Sequence, residues 1–371
     1  FRTIEIIGQQ FDSVTIDLSN ERSTIVLNEL LLLRDRYKAK AVGWYDTDSA
    51  TFSGSFETGD FPITSSQSDS DAGIPMAAQL SMSLNMHGSI DDPNVNASAR
   101  LTDAMWSDNR VGLIDLHLHT SGQTASATAF LADINTFIKG TFDFDNEQAF
   151  EVTAVTNDAD VSTIFSDVEW LSGTVAGEVF ARGSLQDLST TNLRVALSRL
   201  SGSVGDLNIE ITRPASIAYE SQTLEVNNFD FTLGNTRVTV AGALTSEDER
   251  SLTAQISGNV EDFGSMISNV VDPTSSLSAI TSSGELSLLL TGTGSLDDIN
   301  VVGNIDLAGA EVALADMDSF TDISLSASIR DRTLFVEQIQ GHWAGATLEA
   351  STSVPFEIAF PSLPLTFRGL D

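Results

Sequence analysis

Hydrophobic and polar residues alternate along most of the chain with a period of two. Clear runs cover residues 80–86, 175–179 and 286–290, where an apolar residue or glycine recurs at every second position. Ser, Thr, Asn and Asp fill many of the intervening positions, so each such segment has one apolar side and one polar side. This pattern predicts an all-β protein built from antiparallel sheet.

The alternating segments belong to a longer unit that recurs along the chain. One of its elements reads Leu224-x-Val226-x-x-Phe229-x-Phe231 before a turn at 234–236, and similar segments start at residues 25, 111 and 334. A second element, Gly-Ser followed by Ile or Leu, ends an alternating run at 88–90, 183–185 and 294–296. These spacings predict about three and a half repeats. The predicted boundaries are a partial first repeat at 1–88, full repeats at 89–183 and 184–294, and a partial fourth repeat at 295–371.

The repeat also predicts a bulge and short helices. The step of three from Val226 to Phe229 breaks the period of two, which indicates a β-bulge between them. Helical spacing is limited to residues 160–171 and 262–271, and an Asp stands first in each, where it can cap the first turn. We therefore expect one short helix after the last strand of each full repeat, and about 20 strands in all.

The composition narrows the classes of partner. The chain of 371 residues carries 52 Asp and Glu against 18 Lys and Arg, a formal charge of −34, and it contains no Cys. A field of this sign repels phosphate backbones and anionic membrane surfaces, so we predict no nucleic-acid partner. Because the chain begins at Phe1 inside an alternating segment, we interpret it as an internal piece of a longer protein. Any membrane contact is then expected through parts outside this piece.

The sequence offers few candidates for catalysis or metal binding. His117 and His119 share one side of a predicted strand, at a spacing that can bind a metal. That side is opposite to Leu116 and Leu118, so we expect both histidines to be solvated. The segment that begins at Asp46 resembles a calcium loop but lacks a ligand and the Gly that such a loop needs. We predict no catalytic residue, no metal and no cofactor.

The Gly-Ser-[Ile/Leu] signature, the apolar pattern of 224–231 with its copies, and the turn that follows it resemble the TamB branch of the AsmA-like proteins. That family of bacterial envelope proteins is built on a β-taco. The resemblance implies an elongated, twisted antiparallel sheet that curls into a groove with an apolar interior. It also implies a periplasmic location in a Gram-negative-type bacterium, with an inner-membrane anchor in the full-length protein.

The function implied by the resemblance is non-catalytic conduction of phospholipids between the inner and outer membranes. The implied partners are phospholipid acyl chains and an outer-membrane barrel of the TamA type. The residues expected to line the groove and contact lipid are the apolar positions of the repeated strands. They are Leu27, Leu30, Leu32, Leu113, Leu116, Leu118, Leu224, Val226, Phe229, Phe231, Leu286, Leu288, Leu290, Leu334, Val336, Ile339 and Leu348.

Three other interpretations of the same residues stay open. Alternating apolar strands are often the half-buried sheet of an ordinary packed core. A translocation and assembly module would instead engage unfolded outer-membrane strands by β-augmentation at an open edge. A structural stalk would have its interior filled by its own side chains.

Overall fold

Alternating hydrophobic residues form β-strands along nearly all of the described chain. The computed structural model describes residues 4–6, 9–64, 76–106, 109–145, 148–164, 171–187, 190–245, 250–262, 281–294, 299–313, 319–330 and 333–355. The strands are β1 (Ile4–Ile6), β2 (Gln9–Phe11), β3 (Ser13–Glu21), β4 (Thr24–Arg34), β5 (Tyr37–Asp46), β6 (Thr51–Thr64), β7 (Met76–Ser89), β8 (Pro93–Trp106), β9 (Asn109–Ser121), β10 (Thr124–Leu131), β11 (Thr136–Asp143), β12 (Ala149–Asp160), β13 (Leu171–Ser184), β14 (Asn192–Val204), β15 (Leu207–Ile211), β16 (Ala215–Glu220), β17 (Thr223–Leu233), β18 (Thr236–Leu244), β19 (Ser251–Asn259), β20 (Thr281–Gly294), β21 (Ile299–Ala313), β22 (Phe320–Arg330), β23 (Thr333–Trp343) and β24 (Ala346–Pro355).

The chain divides into two units, and antiparallel pairing runs through each of them. Unit 1 comprises residues 1–159 and 178–191, and unit 2 comprises residues 160–177 and 192–371. In unit 1 each strand from β3 to β12 pairs with the next one along the chain. In unit 2 β14 pairs with both β15 and β16, which both pair with β17, and each strand from β17 to β24 then pairs with the next. The all-β, antiparallel prediction is confirmed, whereas the predicted repeat boundaries stay a prediction.

The bulge and the turns predicted from the repeat are present. The register of β17 against β18 shifts between Val226 and Phe229, and Asn228 adopts a left-handed conformation with φ 56°. Equivalent shifts separate Leu27 from Leu30 and Val336 from Ile339 in other copies. The predicted turn after β17 contains Gly234 at φ 58°, a conformation that glycine adopts without steric cost. The bulge therefore keeps Phe229 on the same side of the sheet as Val226.

The helix predictions were partly wrong. A short helix, α1 (Val161–Ile164), begins after Asp160, which caps it by accepting a hydrogen bond from the Ser162 amide at 2.9 Å. The predicted end is wrong because Leu171 belongs to β13, and residues 165–170 lie outside the described part. The second helix begins at residue 260, so Asp262 lies inside it instead of capping it. The Asp262 carboxylate accepts hydrogen bonds from the Asn235 amide at 2.6 Å and the Thr236 hydroxyl at 3.4 Å, and residues 263–271 are not described.

Two small hydrophobic cores lie in unit 1, one near the end of β6 and the other near the end of β8. The first is formed by Phe11, Ala39 and Phe61, and the rings of Phe11 and Phe61 lie 5.7 Å apart. The second is formed by Ala78, Leu101 and Ala104. The register shifts between Thr58 and Phe61 and between Leu101 and Ala104 adjoin these cores. Because bulges bend a strand and increase its twist, they mark where the sheet of unit 1 closes over its own apolar side chains.

Candidate functional site

One face of the unit 1 sheet is apolar across nine successive strands. Residues directly opposite each other in paired strands lie on the same face, so the registers trace a row from β4 to β12. The row consists of Leu30, Ala41, Phe56, Leu84, Ala97, Leu118, Ala127, Gly140 and Val152. We call this side the apolar face of unit 1 and the opposite side its polar face.

Unit 2 has an equivalent row on the apolar face of its own sheet. The registers connect it from β17 to β24. The row consists of Phe231, Val238, Ile256, Leu288, Ile305, Ala327, Val336 and Thr352. The neighbouring row on the opposite side, from Ser257 through Ser287, Asp306 and Ser326, is polar. Neither apolar row contains a titratable side chain. The row of unit 1 is nonpolar across its nine strands, and the row of unit 2 is nonpolar from Phe231 to Val336 and ends at the polar Thr352.

Most of the predicted lipid-contacting residues are half-buried. Val226 is buried at 6% exposure, whereas Leu118, Ile339 and Leu348 are exposed at 39%, 37% and 44%. The remaining predicted residues have intermediate exposure. Side chains in the middle of a two-layer sandwich are close-packed and almost fully buried. Over the described strands the apolar faces thus present hydrophobic surface that the protein covers only in part.

Leu32 and Leu116 are exceptions to this openness, because they pack against protein. Leu32 contacts the core of Phe11, Ala39 and Phe61, and Leu116 contacts the second core of unit 1. Both cores lie toward one end of the strands. The other end of the apolar face, around Leu118, is the open part of unit 1.

The register also changes the composition of the predicted set. Ile114, and not Leu113, lies opposite Leu101 and Leu131 in the apolar rows of unit 1. From Ile114 to Thr120, β9 pairs with both of its neighbours without a register shift, so the step of three between Leu113 and Leu116 contains no bulge and Leu113 lies on the opposite side of the strand from Leu116. Sequence reasoning also left out of the set several residues that lie in these rows, among them Phe56, Leu84, Val238, Ile256 and Ile305. Their period-two spacing was a usable signal, but only the pairing registers join them to the predicted residues.

A buried ionic cluster lies close to Phe229 and Phe231 but on the other side of β17. Asp230 is 1% exposed, and its carboxylate accepts two hydrogen bonds from Arg237, at 2.9 and 2.6 Å. The Arg213 guanidinium lies 3.5 Å from the same carboxylate. Because successive side chains of a strand point to opposite faces, this charge does not interrupt the apolar row of unit 2.

The Arg237 guanidinium and the hydrogen bonds that it donates lower the pKa of Asp230, against the opposing effect of burial. A carboxyl group whose pKa is lowered on folding stabilises the fold above its unfolded pKa, near 4. That stability is lost as the pH falls through the lower folded value. We expect the melting temperature of the wild-type chain to fall more steeply between about pH 5 and pH 2 than that of Asp230→Asn. Calorimetry across this range tests the prediction, and parallel curves for the two proteins would contradict it.

The residues considered for metal binding lie apart from the apolar faces. His117 and His119 are exposed on the polar face of unit 1, and the His119 Nδ1 atom lies 2.7 Å from the Asn96 Oδ1 atom. The Asp46 carboxylate accepts hydrogen bonds from the amides of Asp48 and Ser49, which lower its pKa. Within the described ranges, no group of three or more His, Asp or Glu side chains is placed to hold a metal ion.

None of the helices in the described part is long and apolar enough to cross a membrane. No protein-family model, curated protein or solved structure matches the chain.

Proposed function

We propose that this chain is a groove segment of an envelope protein that conducts phospholipids, without catalysis, between the inner and outer membranes. The observation that carries the proposal is the pair of apolar rows in which most side chains, Leu118 and Leu288 among them, remain partly exposed, whereas Ala327 is buried. The proposal includes a periplasmic location and an inner-membrane anchor in parts of the protein outside this chain. An outer-membrane barrel of the TamA type is the proposed protein partner.

An acyl chain is the ligand that suits such a surface. Each methylene group removed from water contributes about 0.8 kcal/mol, so a lipid tail gains most where apolar side chains remain accessible. The rows offer similar nonpolar contacts from one strand to the next, which allows a tail to move without crossing a charged barrier. The polar headgroup is costly to desolvate and would remain in water at the open side of the groove.

An assembly module that binds strands of other proteins is the second candidate. It is favoured by the two-stranded sheet of β1 and β2, in which each strand has one partner among the described residues. A strand with an unpaired edge can accept an added peptide strand through main-chain hydrogen bonds. This candidate requires peptide binding at β1 or β2 and does not require lipid on the apolar faces.

Mass spectrometry of organic extracts from the purified chain tests the lipid proposal. We expect phospholipids to co-purify with the folded protein and to exceed those in an extract of a control protein purified in the same way. A folded chain that carries no lipid, and takes up none from phospholipid vesicles, would contradict the proposal. Binding of outer-membrane strand peptides by such a lipid-free chain would favour the assembly module instead.

A further inference from the structure

The polar face of unit 1 contains an open groove of its own. A cavity of about 1000 Å³ and another of about 420 Å³ open on this face, and Ser83, Ser98 and His117 line both of them. Together the two cavities extend from β5 to β10. Five spacings between neighbouring strands correspond to about 24 Å. We call this continuous cavity the polar groove, and its length suits an extended ligand.

One half of the polar groove is an array of hydrogen-bonding Asn, Ser, Thr and His side chains. Asn85, Asn96, His119 and Ser126 lie opposite one another on successive strands, as do Ser83, Ser98, His117 and Thr128. Most of these groups are exposed. They offer donors and acceptors at the regular spacing of a sheet, which suits a ligand with many hydroxyl groups.

The other half of the polar groove is lined by cations. Arg36, Lys38, Lys40 and Arg100 contribute to its wall. Lys40 forms an ion pair with Glu29 at 3.0 Å, and Arg100 forms one with Asp115 at 2.6 Å. Among the residues that the structure describes, no carboxylate pairs with Lys38 or Arg36. These two cations are therefore available to an anionic group of a ligand, although the whole chain carries a formal charge of −34.

The groove also offers aromatic surface. On the same face, Phe130 and Phe137 lie opposite each other and are exposed, and Phe130 is the cross-strand neighbour of Asp115. Exposed rings beside hydrogen-bonding groups suit the apolar faces of sugar rings.

We propose that the polar groove binds a linear acidic polysaccharide. Hydroxyl groups of the sugar bond with the Asn, Ser and His side chains, and a carboxylate pairs with Lys38 and Arg36. Duplex nucleic acid is disfavoured, because it carries one charge per about 1.7 Å of its axis and Glu57, Asp60 and Asp115 also line the groove, whereas an acidic polysaccharide has at most one carboxylate on each sugar. An added peptide strand is disfavoured because the groove lies on a sheet face, where the main-chain groups are already paired.

This site is independent of the lipid proposal. Lys38 and Lys40 alternate along β5 with Ala39 and Ala41, so they point to the face opposite the apolar row. The polysaccharide proposal can therefore be tested whether or not lipid occupies the apolar face.

Titration of the 371-residue chain with a short oligogalacturonate, monitored by calorimetry, tests the proposal. A maltooligosaccharide of equal length is the uncharged comparison, and we expect it to bind more weakly. Lys38→Gln is expected to weaken oligogalacturonate binding by about tenfold, the size of one lost hydrogen bond to a charged group. Asn96→Ala is expected to weaken the binding of both sugars.

The matched control is Arg22→Gln, which removes an exposed cation at the turn between β3 and β4 of the same unit, and it should leave binding unchanged. Equal weakening by Arg22→Gln would show a nonspecific charge effect and overturn the proposal. Failure of oligogalacturonate to bind the folded chain would also overturn it. The proposal would also be overturned if phosphatidylglycerol vesicles bind in a way that depends on Lys38 and oligogalacturonate does not bind.

Discussion

Replacement of Leu288 by Asp is expected to abolish phospholipid retention by unit 2 while the sheet remains folded. Leu288 lies in the middle of the apolar row, between Ile256 and Ile305 on the neighbouring strands. A passing acyl chain would remove water from a carboxylate at this position. The free-energy cost of that desolvation is enough to reduce the lipid occupancy of the row by about tenfold or more. Because Leu288 is only half-buried, the new carboxylate can reach water when no lipid is present. Lipid extracted from the purified variant, together with its circular dichroism spectrum, measures both effects.

The matched control is Ser287→Asp, which places the same group on the neighbouring residue. Ser287 is exposed on the polar face of unit 2, so this variant should keep its lipid. Unfolding of Leu288→Asp in the absence of any lipid would instead support an ordinary packed core. Equal lipid loss in both variants would show that the charge acts without regard to the face, which contradicts a conduit on the apolar side.

Replacement of Asp230 by Ala is expected to destabilise unit 2 by about 2–3 kcal/mol. The buried carboxylate accepts two charge-assisted hydrogen bonds from Arg237, and the variant loses both. The carboxylate also lies 3.5 Å from the guanidinium of Arg213, so the side chain supports the segment that follows β15. Chemical denaturation monitored by circular dichroism measures the change in unfolding free energy.

Two other substitutions set the scale for this loss. Asp306→Ala removes an exposed carboxylate from the polar face of the same unit and should change the stability by less than about 0.5 kcal/mol. Arg213→Gln removes the more distant cation, at 3.5 Å, and should cost less than Arg237→Gln. Equal stability of Asp230→Ala and the wild-type chain would contradict a structural role for this cluster.

The two faces of the unit 1 sheet have different chemistry because a strand separates alternate side chains. His117 and His119 lie on the polar side, whereas Leu116 and Leu118 lie on the apolar side of the same strand. A lipid tail and a sugar polymer would therefore contact the same strands without competing. Each proposal has its own probe, so one can fail while the other stands.

The period-two alternation was sufficient to predict the all-β class and most of the apolar positions. The step of three between Val226 and Phe229 was enough to place a bulge, because only an extra residue keeps both side chains on one face. Gly234 located the turn after β17, since glycine tolerates the backbone conformation that a tight turn needs. These features depend on residues close together in the chain, which explains why the sequence revealed them.

The tertiary structure alone decided which strands are partners, and with them the continuity of the rows. Ile114 replaces Leu113 because β9 pairs with β8 and β10 without a shift at a step of three that resembles the one between Val226 and Phe229. The bond between Asp262 and the turn at Asn235 joins residues 27 positions apart, so no local rule predicts it. The polar groove likewise unites side chains from six strands, which only the pairing of those strands brings together. Alternation is a local property of the backbone, whereas register and curvature are set by contacts between distant segments.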